Sequence, residues 1–214
     1  IIVVHYAGVA CEMDKIQKIS LKYNIPIIED NAHGIFGKYK NKFLGTLGTF
    51  SAQSFHQTKN FSCGEGGALF INDENYMERA EYIREKGTDR TKFIRNEIDK
   101  YSWVDIGSSY LLSEILASIL YAQLEVRNKI QERRKLIWEN YKRKLHGWAE
   151  QNDIKLQQIP TNCKSSYHIF YILVSSAERR EKLINHLKKS GIKASFHYTP
   201  LHTSLMGRKF GYKK

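Results

Sequence analysis

SFHQTKNFSCGEGG, residues 54–67, sets one lysine, Lys59, between Ser54 five residues before it and a glycine-rich run after it. Upstream, Ile25-Pro26-Ile27-Ile28-Glu29-Asp30 reads as an apolar strand that ends in an acid. A strand-end acid followed by a lysine in a serine- and glycine-rich loop suits pyridoxal phosphate (PLP). The amine can form a Schiff base with the cofactor aldehyde, and the acid can pair with the pyridine nitrogen. Ser54 and the glycine amides are candidate phosphate donors. Each feature has a plainer reading: a solvated lysine, a glycine turn, and an Asp that caps a helix.

Working outward, the order of elements predicts an α/β fold. A strand at Ile1–Val4 precedes a helix from about Cys11 to Tyr23, whose Met13, Ile16, Ile19 and Tyr23 fall at helical spacing. Pro26 breaks that helix and opens the strand ending at Asp30. Further strands are expected at 49–55 and Gly67–Ile71, then a helix from Glu74 to Lys86 stopped by Gly87. A long amphipathic helix is expected to start near Ser113 and run on through Ile130 and Tyr141. Beyond Pro160 the pattern predicts a strand at Tyr167–Val174, a helix at Glu178–Ser190 and a strand at Ile192–Tyr198. Alternation of this kind argues for a mostly parallel sheet covered by helices on both faces, with ligands at the carboxyl ends of its strands.

Composition frames these expectations. The 214 residues are 42% hydrophobic and 26% charged, within the range of globular proteins. Apolar runs such as Ile169–Val174 are too short to span a bilayer. Cys11, Cys63 and Cys163 show no metal-binding spacing and no disulfide framework, which favours a reducing, cytoplasmic compartment. The net charge of +12 is interleaved with acids along helices, as in Glu178-Arg179-Arg180-Glu181-Lys182. That reads as solvated helix faces, not a nucleic-acid tract, and its field would attract an anionic ligand.

Six segments, in order, resemble the sugar aminotransferase family of fold-type-I PLP enzymes. They are HYAG (5–8), EDNAHG (29–34), SFHQTKN (54–60), GEGGAL (64–69), YSWVDIGSSYLLSEILASILYAQLE (101–125) and FHYTPLHTS (196–204). The resemblance implies the aspartate-aminotransferase-like fold of PLP-dependent transferases. Residues 1–125 would belong to the large PLP-binding domain and 126–214 to a small α+β C-terminal domain. It further implies that the chain is a fragment, because family members carry a preceding segment with a second phosphate-binding turn and a ring-stacking aromatic. On that view the chain binds PLP poorly by itself.

The same resemblance assigns roles. Lys59 is the catalytic lysine, Asp30 the partner of the pyridine nitrogen, and Ala32 and His33 lie beside the ring. Ser54 is the phosphate ligand, unless its hydroxyl only satisfies local backbone. Ser109 stands where the family commonly has an asparagine that reaches the phosphate from a neighbouring subunit, which implies a homodimer. A turn leading into a helix is the alternative for Ser108 and Ser109. His168, His197, Tyr198 and His202 are candidate contacts for sugar and nucleotide. The implied reaction is transamination of a nucleotide-linked 4-keto-6-deoxy sugar with L-glutamate as donor. The segments 101–125 and 196–204 resemble members that make dTDP-4-amino-4,6-dideoxygalactose. A dehydratase of the same fold would replace Lys59, typically by histidine. An aminotransferase acting on free amino acids and an inactive, ligand-binding truncation are the other readings.

Overall fold

A computed structural model of the chain describes residues 1–212. Two compact units result: Ile1–Trp148 with Leu156–Tyr171, and Ala149–Lys155 with the residues from Ile172 on. In order, the first elements are β1 (Ile2–Val4), α1 (Met13–Tyr23), β2 (Ile28–Asp30), β3 (Lys38–Tyr39), β4 (Lys42–Phe43), β5 (Phe50–Ser54) and β6 (Gly67–Ile71). They are followed by α2 (Met77–Arg84), α3 (Arg90–Ile94), α4 (Glu114–Glu125) and α5 (Arg127–Gln151). Then come β7 (Lys155–Leu156), β8 (Cys163–Lys164), β9 (Ile172–Leu173), α6 (Ala177–Lys189) and α7 (Leu205–Lys209). No helix among the described residues is long and apolar enough to cross a membrane.

The main sheet has the order β1-β2-β5-β6. Its first two pairings are parallel, with Val4 opposite Asp30 and Asp30 opposite Ala52. The β5–β6 pairing is antiparallel, with Ser54 opposite Gly67. The α/β expectation therefore holds, with a mixed sheet. Helix α1 crosses between β1 and β2 and buries Met13 completely, against Val3, Ile27, Tyr39 and Leu44. It ends at Asn24, which adopts the left-handed conformation at φ 50°, ahead of Pro26.

Side chains alternate across a strand, so each sheet face is read in steps of two. Glu29, Ser51 and Gln53 lie on the covered face, all buried. Asp30, Ala52 and Ser54 fall on the other face, at the carboxyl ends of β2 and β5. Burying Glu29 would be costly were its carboxylate not fully engaged. One oxygen accepts from Leu47 N and Gly48 N, each at 2.6 Å. The other accepts from Gly45 N at 2.8 Å and meets His5 Nε2 at 2.8 Å. Burial works to raise the Glu29 pKa, but His5 and the three backbone amides outweigh it and hold the group below 4.5.

The secondary elements correct the sequence reading in four places. The helix expected from Glu74 begins as a 3-10 turn, Glu74–Tyr76, and is regular only over α2. The long helix from Ser113 breaks at Val126 (φ −100°, ψ 19°) into α4 and α5. Ser113 caps α4, its hydroxyl accepting from Leu116 N. The strand expected at Tyr167–Val174 shrinks to β9, because Tyr167 sits at φ 54° and turns the chain out of extended geometry. No strand forms at Ile192–Tyr198 among the described residues.

Glu29→Gln is expected to destabilise the chain by about 2–4 kcal/mol, since either orientation of the amide faces its NH2 toward N–H donors. The lowered Glu29 pKa gives the carboxylate a stabilising contribution that is present above pH 4.5 and lost as pH falls through the depressed value. Denaturant midpoints measured from pH 7 downward should therefore fall more steeply for the wild type than for the variant. Equal midpoints at neutral pH would show that the cluster contributes nothing.

Candidate active site

Lys59 sits in the loop that joins β5 to β6. Two backbone bonds close the base of this hairpin: Phe55 N to Gly66 O and Gln57 N to Gly64 O, both 2.8 Å. Phe61, fully buried among Phe55, Cys63 and Leu120, anchors its centre. From α4, Gln123 accepts from Ser62 N at 3.0 Å and donates to Ser62 O. From α5, Gln131 meets the Asn60 side chain at 3.4 Å. With Asn60 and Phe61 both buried, Lys59 has little freedom of placement.

The lysine is half-buried, and its electrostatics reflect that. Burial pushes the Lys59 amine below its ordinary 10.5, while the Asp30 carboxylate opposes the shift. The Asp30 carboxylate is thus near enough for its charge to act on the Lys59 amine. Asp30 also accepts from Ala32 N at 3.1 Å, which holds its carboxylate at the mouth of β2. Ser54 closes β5 on the same sheet face, with His56 N at 3.4 Å from its hydroxyl. That long bond is a weak local use of the hydroxyl.

These residues form a donor set that fits PLP: an amine with a depressed pKa, a carboxylate at a strand end, and a hydroxyl on the neighbouring strand. His33 follows Asp30 by three residues. Its Nδ1 accepts from Ala7 N at 3.2 Å, and its ring stacks on His168 at 4.3 Å between centroids. Contrary to expectation, His168 lies in an irregular segment before β9 and not in a strand. It reaches the site because Ser166 N donates to Gly8 O at 3.1 Å and the Ser166 hydroxyl donates to His33 O. Gly8 permits this approach: its φ is 79°, and a Cβ there would lie 1.9 Å from Ser166 Oγ.

The remaining candidates belong to other segments of the chain. Ser109 is exposed, and its backbone bridges to Glu85 at the end of α2. Among the described residues, none of its hydrogen bonds reaches Asp30, Ser54 or Lys59. His197, Tyr198 and His202 belong to the second unit and are exposed there, with the His197 and Tyr198 rings stacked at 4.1 Å. Sequence reasoning missed Asn60, Ser166, Gln123 and Gln131. Asn60 adjoins Lys59 and was visible; the others are recognisable only through contacts made across the fold.

The profile of the DegT/DnrJ/EryC1/StrS aminotransferase family matches residues 1–214, and the chain belongs to that family. An uncharacterized protein of Methanocaldococcus jannaschii is 35% identical over 221 residues, covering 100% of this chain and 56% of the relative. The GDP-perosamine synthase of Escherichia coli O157:H7 is 31% identical over 96% of this chain and 53% of its own length. A solved family aminotransferase from Brucella abortus superposes with a TM-score of 0.83 at 28% identity, over 97% of this chain and 52% of its own. The chain thus spans about half the length of the relatives it matches. Aminotransferases of this family use PLP.

Competitive acylation of the chain across a pH series should find Lys59 reacting at lower pH than the exposed lysines. Asp30 raises the Lys59 pKa, so Asp30→Asn should lower it further. A Lys59 that titrates with the surface lysines, unmoved by Asp30→Asn, would show the amine to be solvated.

Proposed function

We propose that this chain carries the lysine-bearing, PLP-binding part of an aminotransferase acting on a nucleotide-linked 4-keto-6-deoxy sugar, with L-glutamate as amino donor. The observation that carries the reading is a half-buried Lys59 amine whose charge is opposed by burial and supported by Asp30, the acid at the carboxyl end of parallel strands. Family membership and the GDP-perosamine synthase relative support a nucleotide-sugar substrate.

PLP, when bound, supplies an aldehyde that carries the amino group and a ring that accepts electrons. Lys59 would hold the cofactor covalently, and its Nζ would carry a proton to and from the substrate carbon. The depressed Lys59 pKa suits that task, since a base must be unprotonated for part of its cycle. Asp30 would hold the proton on the pyridine nitrogen through its negative charge. Ser54 would donate to the phosphate, Ala32 and His33 would flank the ring, and His168 would face the substrate. His197, Tyr198 and His202 remain candidates for the nucleotide or sugar.

The finer assignment is a dTDP-linked sugar aminated to dTDP-4-amino-4,6-dideoxygalactose, favoured by the resemblance of 101–125 and 196–204. The second reading is a GDP-linked keto sugar, favoured by the 31% identity to GDP-perosamine synthase. We place the enzyme in the cytoplasm as a homodimer, with 1–125 and 126–214 as its two domain portions. The exposure of Ser109 supports a contact with a neighbouring subunit.

In the full-length enzyme, Lys59→Ala should abolish transamination and the visible absorbance of lysine-linked PLP. Turnover within tenfold of the wild type would overturn the assignment. Asp30→Asn should lower turnover by several orders of magnitude while PLP is retained. Ser54→Ala should instead weaken PLP retention by about 1–3 kcal/mol, the worth of one hydrogen bond to a charged group. Dialysis followed by absorbance separates the two effects; identical profiles would disprove the division of roles. Parallel assays with dTDP- and GDP-linked 4-keto-6-deoxy sugars decide the nucleotide.

A further inference from the structure

Asn60 follows Lys59 directly and is buried, yet it is not part of the donor set described above. Its side chain makes three contacts. Nδ2 donates to Ser166 O at 2.7 Å and approaches Gln131 Oε1 at 3.4 Å, while Oδ1 meets His168 Nδ1 at 2.8 Å. The orientation of the amide is fixed chemically, because the Ser166 backbone carbonyl can only accept and so must face Nδ2. Oδ1 must therefore face His168, and His168 must donate from Nδ1. The same logic sets the partner ring. Ala7 N–H points at His33 Nδ1, so His33 carries its proton on Nε2.

We infer that Asn60 is a positioning residue: it locks His168 as the Nδ1–H tautomer and holds that ring stacked on His33 beside Lys59. This rests on the reading of Lys59 as the cofactor lysine, and it adds a residue that acts through its neighbours. The arrangement links three parts of the chain. Asn60 is covalently tied to Lys59, bonds the backbone of Ser166, and orients His168. Ser166 in turn donates from its hydroxyl to His33 O. The stacked rings, 4.3 Å apart and inclined by 30°, are thus fixed in rotation as well as position. With Nδ1 committed as donor to Asn60, the ring keeps one tautomer, and loss of the lock would randomise it.

Long-range 1H–15N correlation spectra of the chain labelled with 15N-histidine read the tautomers directly. In the wild type, His168 should show a protonated Nδ1 and a pyridine-like Nε2, and His33 the reverse. Asn60→Ala should abolish the Nδ1–H signature of His168 and shift the ring resonances of His33. Asn60→Asp keeps an acceptor opposite Nδ1 but loses the donor to Ser166 O, so Nδ1 should stay protonated. A residue that only filled space would move both variants alike. A wild-type His168 protonated on Nε2, or an Asn60→Ala spectrum unchanged at both rings, overturns the inference. Should Asn60→Ala fail to fold, the wild-type tautomer and the Asn60→Asp spectrum decide it. These spectra are recorded without PLP or sugar, so a chain that aminates nothing would refute the functional reading and leave this one standing.

Discussion

A carboxylate buried on one face of a strand governs where its neighbour points. Glu29 is wholly inside, and the bonds from Gly45, Leu47, Gly48 and His5 leave it no other placement. Adjacent residues of a strand face opposite ways, so Asp30 must emerge on the far side of the sheet. A one-residue slip of β2 would bury Asp30 without those donors and expose Glu29. The chemistry attributed to Asp30 thus depends on an acid that takes no part in it. The same contacts fold the 45–48 turn over the sheet, where Asn72 ties the carbonyls of Gly45 and Gly48 to the end of β6.

Much of this was legible in the sequence, and the reason is locality. Lys59, Ser54 and the glycines are close neighbours along the chain, and a strand ending at Asp30 follows from an apolar run after Pro26. Parallel alternation then places both at one end of a sheet. Glu29 is a different matter. Read along the chain, it is one more acid at a strand end, and nothing local shows that three amides and an imidazole converge on it. The covering turn is specified by glycines whose purpose appears only when Gly45 is seen at φ 93°.

The errors have the same origin. Residues 167–174 have a strand's composition, but Tyr167 and Ser166 are committed elsewhere. Ser166 bonds Gly8, His33 and Asn60, and Tyr167 takes a left-handed conformation to allow it. Apolar periodicity from Ser113 onward reads as one helix, because the pattern carries past Val126 with no glycine or proline to mark the break. Instead, Gln123 of α4 and Gln131 of α5 grip Ser62 and Asn60 on successive stretches of one loop. Tertiary demands of this kind override propensity wherever a segment must serve a distant partner.

The hairpin that carries Lys59 has a consequence for how the site assembles. Its twelve linking residues, 55–66, close a short loop between adjacent strands, and a loop of that size costs little chain entropy to form. The contact between Asn60 and Ser166 spans 106 residues, and the bond from Ser166 to His33 spans 133. Pairing β5 with β6 therefore needs only local chain, while the contacts that hold Asn60 and the imidazoles need almost the whole of it. On chain entropy alone, the loop that carries the lysine is the cheaper of the two to close.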